Sequence, residues 1–155
     1  MNSEILVIDD QPDLRFMVCN ILKEKNFEIR SAANYEQAVL EIKKKLPDLA
    51  IVDIKLDKSD KDGIDLLKLI MKLDKNIPVI MISGHATTQL AVEAIKIGAY
   101  EFVEKPFSQE KILNYVYRAL ENYKLKKEKD IIEDKLFHSF ELIGKSQSIS
   151  KVKKN

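Results

Sequence analysis

The chain has 155 residues, 45% of them hydrophobic and 33% charged, with a formal net charge of +1. That length supports one well-formed core plus a tail, and the near-neutral balance excludes a strongly basic nucleic-acid surface. The charge is uneven: from Glu121 onward 9 Lys face 6 acids, whereas 17 basic and 19 acidic residues precede them, a mildly acidic body with a mildly basic tail.

Strand and helix patterns alternate five times. The first apolar strand, Glu4-Ile5-Leu6-Val7-Ile8, runs into Asp9-Asp10. Pro12 then opens a helix in which Leu14, Met17, Val18, Ile21 and Leu22 recur at helical spacing, a first-turn position that tolerates proline. Phe27-Glu28-Ile29-Arg30 reads as the second strand. Asn34 is placed to cap a second helix with Ala38, Leu40, Ile42 and Leu46 as its apolar positions, stopped by Pro47. Leu49-Ala50-Ile51-Val52-Asp53 is a buried strand that ends in a carboxylate.

Lys55 to Gly63 is a polar loop, and Ile64, Leu66, Leu67, Ile70 and Met71 mark a third helix. Pro78 opens the fourth strand, Val79-Ile80-Met81-Ile82, which ends in Ser83. A fourth helix is expected from about Ala86 to Ile97, closed by Gly98, with His85 read as an exposed residue at its start. The fifth strand, Tyr100-Glu101-Phe102-Val103, leads through Glu104 to Lys105-Pro106, and Ser108 caps a fifth helix carrying Ile112, Leu113, Val116, Tyr117 and Leu120.

Repeated strand-helix units with short connections predict an α/β fold, a parallel sheet covered on both faces with right-handed crossovers. In such a sheet ligands and chemistry gather at the carboxyl ends of the strands. Those ends deliver Asp9, Asp10, Asp53, Ser83 and Lys105. Two carboxylates about 4 Å apart repel by roughly 4 kcal/mol at an effective dielectric near 20, so the cluster calls for a proton, a cation or a metal, and a hard ion such as Mg2+ suits its oxygens. Asp53 is the candidate nucleophile toward phosphorus, with Ser83 as hydroxyl donor and Lys105 as cation, a constellation for phosphoryl transfer.

These motifs resemble the receiver domain of bacterial two-component response regulators, over residues from about 4 to 120. The resemblance implies a flavodoxin-like sheet in the order 2-1-3-4-5, Asp53 as phosphoacceptor, and Mg2+ held by Asp10, Asp9, Asp53 and the Lys55 backbone carbonyl. It further implies Ser83 as the switch hydroxyl, Lys105 as the cation that contacts the phosphoryl group, Tyr100 as the rotating aromatic, and a cis Lys105-Pro106 bond. Asp62-Gly63 comes about two residues later than in most receivers, without their Met-Pro pair. This loop, with Ser83-Gly84-His85, Gly98-Ala99-Tyr100 and Glu104-Lys105-Pro106-Phe107, is similar to the NtrX branch of the NtrC family.

The expected organisation is a receiver domain over residues 1–121, a helical linker over 122–142, and the start of a truncated ATPase-like domain over 143–155. If helical through Leu136, the fifth helix would extend roughly 43 Å at about 1.5 Å per residue. Leu125, Ile132 and Leu136 have coiled-coil-like spacing, which points to a homodimer through this helix; the face made by the fourth helix, fifth strand and fifth helix is the other dimer candidate. Gly144-Lys145-Ser146 mimics a phosphate-binding loop, but Ser139 stands where that motif needs its first Gly, and nucleotide binding is rejected there.

Cys19 reads as a small core thiol, and one cysteine excludes an internal disulfide framework. The opening Met1-Asn2-Ser3-Glu4 lacks the pattern of an export signal and no apolar run reaches membrane-span length, so the cytoplasm is the expected compartment. No helix-turn-helix pattern suggests direct nucleic-acid contact. The expected partner is a sensor histidine kinase. The competing functions are an aspartyl-nucleophile phosphatase, which would want an acid where Lys55 stands, and a phosphorylation-independent interaction module.

Overall fold

The apolar runs become strands because each is short, rich in branched residues and covered on both sides. The computed structural model of the chain describes residues 3–56, 62–84 and 88–125. In order it forms β1 (Glu4–Ile8), α1 (Pro12–Glu24), β2 (Glu28–Ala32), α2 (Tyr35–Lys44), β3 (Leu49–Asp53), α3 (Gly63–Leu73), β4 (Val79–Ser83), α4 (Thr88–Ile97) and β5 (Glu101–Glu104). A last helix, α5, covers residues 109–125. The five strands make one parallel sheet in the order β2-β1-β3-β4-β5, as expected. The sheet lies within one compact unit, Met1–Tyr123.

Strand alternation sorts the core into two layers. Leu6, Ile8, Ala50, Val52, Val79 and Met81 point to one face and pack with Ala38 and Ile42 of α2, Leu66 and Ile70 of α3 and Ala94 of α4. Ile5, Val7, Leu49, Ile51, Ile80 and Ile82 point to the other, against Val18 and Leu22 of α1 and Ile112 and Val116 of α5. Burial on both faces fixes the register, since a slip by one residue would exchange the two layers. The sheet is therefore doubly wound, and its central strands β3 and β4 are wholly buried.

Local signals set the helix ends. Asn34 Oδ1 accepts a hydrogen bond from Gln37 N at 2.9 Å, and Asp62 with Asp65 forms a reciprocal capping box at the start of α3. Gly98, with φ +135°, closes α4.

Several expectations shift. β2 lies at Glu28–Ala32 rather than 27–30, and β5 starts at Glu101 rather than Tyr100. Leu40 is 61% exposed, because at about 100° per residue it points away from the Ala38–Ile42 face, and Leu46, half-exposed, lies beyond the end of α2. Met17 and Tyr117 flank their buried stripes and are also largely exposed, Tyr117 keeping a ring contact with Phe27 at 5.7 Å between centroids. Cys19 is buried, as expected. His85, the tip of the 55–63 loop, Ile132, Leu136 and the Gly144-Lys145-Ser146 stretch lie outside the described residues. Among the described residues no helix is long and apolar enough to cross a membrane.

Candidate functional site

The strand order reverses between β1 and β3, the β1 chain crossing out to β2 and the β3 chain to β4. A crevice opens at the carboxyl ends of that pair, where open α/β sheets bind ligands. β1 delivers Asp9 and Asp10 there and β3 delivers Asp53. Each offers a carboxylate oxygen within 4.8 Å of the other two. Asp9 is 1% exposed and Asp53 5%, while Asp10 is half-buried at the edge.

β5 brings the compensating charge. Lys105 N donates to Ser83 O at 2.8 Å, fixing the residue beside the end of β4, and Lys105-Pro106 is cis, as the resemblance implied. From there the Lys105 ammonium reaches across to Asp53 Oδ2 at 2.9 Å and Asp9 Oδ2 at 3.3 Å. The other Asp53 oxygen, Oδ1, accepts from Lys55 N at 3.1 Å. Asp9 Oδ1 accepts from Gln11 N at 2.9 Å, and the Asp9 carbonyl from Arg15 Nη1 at 2.7 Å.

The electrostatics follow from burial. Desolvation pushes the Asp9 carboxyl up to about 6; the Gln11 N–H opposes this, the charge of Asp53 adds to it, and that of Lys105 offsets it. Burial works against the Lys105 ammonium, but the hydrogen bond and charge of Asp53, then the ion pair with Asp9, hold its pKa above the usual lysine value. Asp9 Oδ2 is buried and, although ion-paired with Lys105, has no hydrogen-bond donor. A hard divalent cation fits this site: three carboxylates supply only oxygen ligands, and one of those oxygens is a buried acceptor left unmatched.

Asp9, Asp10, Asp53 and Lys105 are thus brought together, and Ser83 is buried at the same rim as the last residue of β4. Tyr100, expected as the rotating aromatic, stands apart from Ser83. Its N–H bonds Val79 O at the first residue of β4, about 13 Å along the strand from Ser83 at roughly 3.3 Å per residue, and its ring packs with the α1/α5 layer. The aromatic on the Ser83 side is Phe102. It pairs with Met81 and packs in the layer of Val79 and Met81, whose alternation Ser83 continues. The parity follows from strand alternation, because Phe102 stands two residues before Glu104, the register partner of Ser83. Gln11 was also missed. Its Oε1 accepts from Lys105 Nζ at 3.2 Å, and the available signal was its place directly after Asp9-Asp10.

Residues 5–117 match the response regulator receiver domain. The chain is 40% identical over 150 residues to a putative NtrX-like response regulator of Rickettsia bellii, an alignment covering 97% of this chain and 31% of that protein. The crystal structure of NtrX from Brucella abortus superposes with a TM-score of 0.81 at 38% identity, over 99% of this chain and 34% of that one. The beryllofluoride-activated NtrC4 receiver domain dimer gives 0.72 at 34% identity, over 77% of this chain and 98% of that one. The chain spans about a third of the length of the curated NtrX relatives it matches. With the domain match over residues 5–117 taking in α1 to α4, nearly all of the sheet and every residue of the acidic rim, the chain belongs to the response regulator receiver domain family, and its relatives are regulators of the NtrX/NtrC type.

Proposed function

We propose that this chain is a phosphorylation-driven switch in which Asp53 accepts a phosphoryl group from a phosphohistidine of a partner sensor kinase. The observation that carries the reading is the contact of the Lys105 ammonium with Asp53 Oδ2 at 2.9 Å inside a three-carboxylate cluster. An Asp53 oxygen attacks phosphorus, the O–P bond forms as the N–P bond of the phosphohistidine breaks, and the imidazole leaves with the electron pair and takes up a proton. Asp53 becomes an acyl phosphate, and its negative charge passes to the phosphoryl oxygens. Mg2+, when bound, neutralises those oxygens.

Asp9, Asp10, Asp53 and the Lys55 carbonyl are the proposed Mg2+ ligands, and Ser83 and Lys105 the groups drawn to the new phosphoryl oxygens. A surface hollow lined by Asp10, Gln11, Pro12, Asp13, Leu14 and Met17 lies beside the acidic rim on the α1 side. Movement of Ser83 is transmitted to Phe102, half-buried on the same face, and so to α4 and β5. The output is a change in self-association, through α5 or through the α4-β5-α5 face; a related receiver is described as a dimer in its activated form. Residues 1–121 form the receiver, 122–142 the linker and 143–155 the start of a downstream ATPase-like domain, in a regulator working in the cytoplasm. Lys55 occupies the position where an aspartyl phosphatase would place its acid, which disfavours multiple turnover.

Intact mass after incubation with a small-molecule phosphodonor tests this. One phosphoryl adduct is expected with Mg2+, none without it, and none for Asp53→Asn. An adduct that persists in Asp53→Asn overturns the assignment.

A further inference from the structure

Lys105 is held from a direction that the strand-end carboxylates do not account for. Its side chain is only 14% exposed, and an ammonium carries three N–H donors and no acceptor. Hydrogen bonds are seen to Asp53 Oδ2 at 2.9 Å and to Gln11 Oε1 at 3.2 Å. Asp9 Oδ2, at 3.3 Å, is an ion-pair partner that accepts no hydrogen bond. A neutral carboxamide therefore supplies the second acceptor of the cation, from a residue 94 positions away in the chain. Because an ammonium can only donate, the carbonyl side of the carboxamide must face it.

The backbone of Gln11 is fixed for this task. It is the N-cap of α1, in extended conformation at φ −83° and ψ 111°, the region to which the following Pro12 restricts it. Its N–H is already committed to Asp9 Oδ1 at 2.9 Å. An N-cap side chain ordinarily turns back to an N–H of its own helix, yet that of Gln11 makes no such bond and faces Lys105 instead.

We infer that Gln11 is a positioning residue that tethers the Lys105 ammonium at the rim of the site, so that the cation stands over Asp53 when the phosphoryl group arrives. The inference rests on Asp53 being the phosphoacceptor. On transfer, the charge that Lys105 meets at Oδ2 moves outward to the phosphoryl oxygens. A cation held by two carboxylates alone would lose part of its anchorage at that moment, whereas a carboxamide at the rim retains it.

The test uses the full chain, labelled to follow the Lys105 Nζ and Cε resonances, which are identified by their loss in Lys105→Ala. Gln11→Met keeps the reach of the side chain and removes the acceptor; Gln11→Glu keeps an acceptor. Gln11→Met is expected to shift the Lys105 resonances and to slow adduct formation at saturating Mg2+ on the order of tenfold, as loss of a hydrogen bond to a charged group implies. Gln11→Glu is expected to retain the tethered resonance, and in a Lys105→Ala background Gln11→Met should cost no further rate. Unchanged resonances in Gln11→Met, or an equal slowing without Lys105, overturn the inference. If the natural chain takes up no phosphoryl group, the phosphoacceptor reading fails by itself, and the Lys105 resonances still decide whether Gln11 holds the ammonium.

Discussion

A Cβ built on Gly63 would stand 2.1 Å from the Asp53 carbonyl oxygen and 2.8 Å from the Ile54 Cα. Both obstacles are backbone, so neither can swing aside, and α3 reaches the end of β3 only because its first residue has no side chain. Gly63 N donates to Ile54 O at 2.9 Å across the same approach. Gly63→Ala must lift α3 from the strand that presents Asp53, a cost of about 3 kcal/mol by analogy with overpacked cores. A lower urea midpoint together with slower phosphoryl uptake is the expected outcome; an unchanged midpoint would show that the loop absorbs the methyl group. The sequence displayed Asp53 and the paired acids, because a charged residue ending an apolar strand is a local event. The need for glycine at 63, the tether from Gln11 and the face occupied by Phe102 are distances between segments. Only the last left a trace, in the alternation of the fifth strand.

At the scale of elements, caps and stops were more legible than faces. Asn34 was read as an N-cap and its Oδ1 does accept from Gln37 N, while the Gln37 side chain reaches back to Ala33 N at 2.9 Å. Such reciprocal bonding satisfies donors that the first helical turn cannot pair internally. Asn34→Ala is accordingly expected to lower unfolding free energy by about 1 kcal/mol, measurable by denaturant titration, and Asn34→Asp to preserve most of it. Loss on that scale should leave the rate of phosphoryl uptake unchanged, since α2 sits beneath the sheet face and supplies nothing to the rim. The error over Leu40 and Leu46 came from counting apolar residue types. Ala38 and Ile42, four apart on one stripe, are what α2 buries, and both were among the four apolar positions read, so the choice lay in the spacing rather than in the residue types.

For the molecule as a whole, the acidic rim is expected to tie folding to pH and, as the proposed metal site, to divalent cations. Asp9 has an ordinary carboxylate value of 3.8 when solvated and about 6 in the fold, chiefly because burial disfavours its charge. Between those values the folded chain holds a proton that the unfolded chain has released, so stability falls as pH rises from about 4 to about 6 and is flat in this respect above it. The displacement corresponds to at most about 3 kcal/mol. Glu41 runs the other way, its carboxyl held low by hydrogen bonds from Lys44 and Arg30, but its contribution is lost only as pH falls below the usual glutamate value of 4.5. The two windows overlap only below the Glu41 value of 4.5, and above it the decline belongs to Asp9 alone. Asp9→Asn, nearly isosteric and uncharged, is expected to remove the decline between pH 4 and 6, read as the urea midpoint across that range. A divalent cation competes with the same proton: Mg2+ at a hundredfold excess over its dissociation constant should restore about 2.7 kcal/mol at pH 7 and much less at pH 5, where Asp9 is protonated. Equal stabilisation by Mg2+ at both pH values would place the ion away from Asp9.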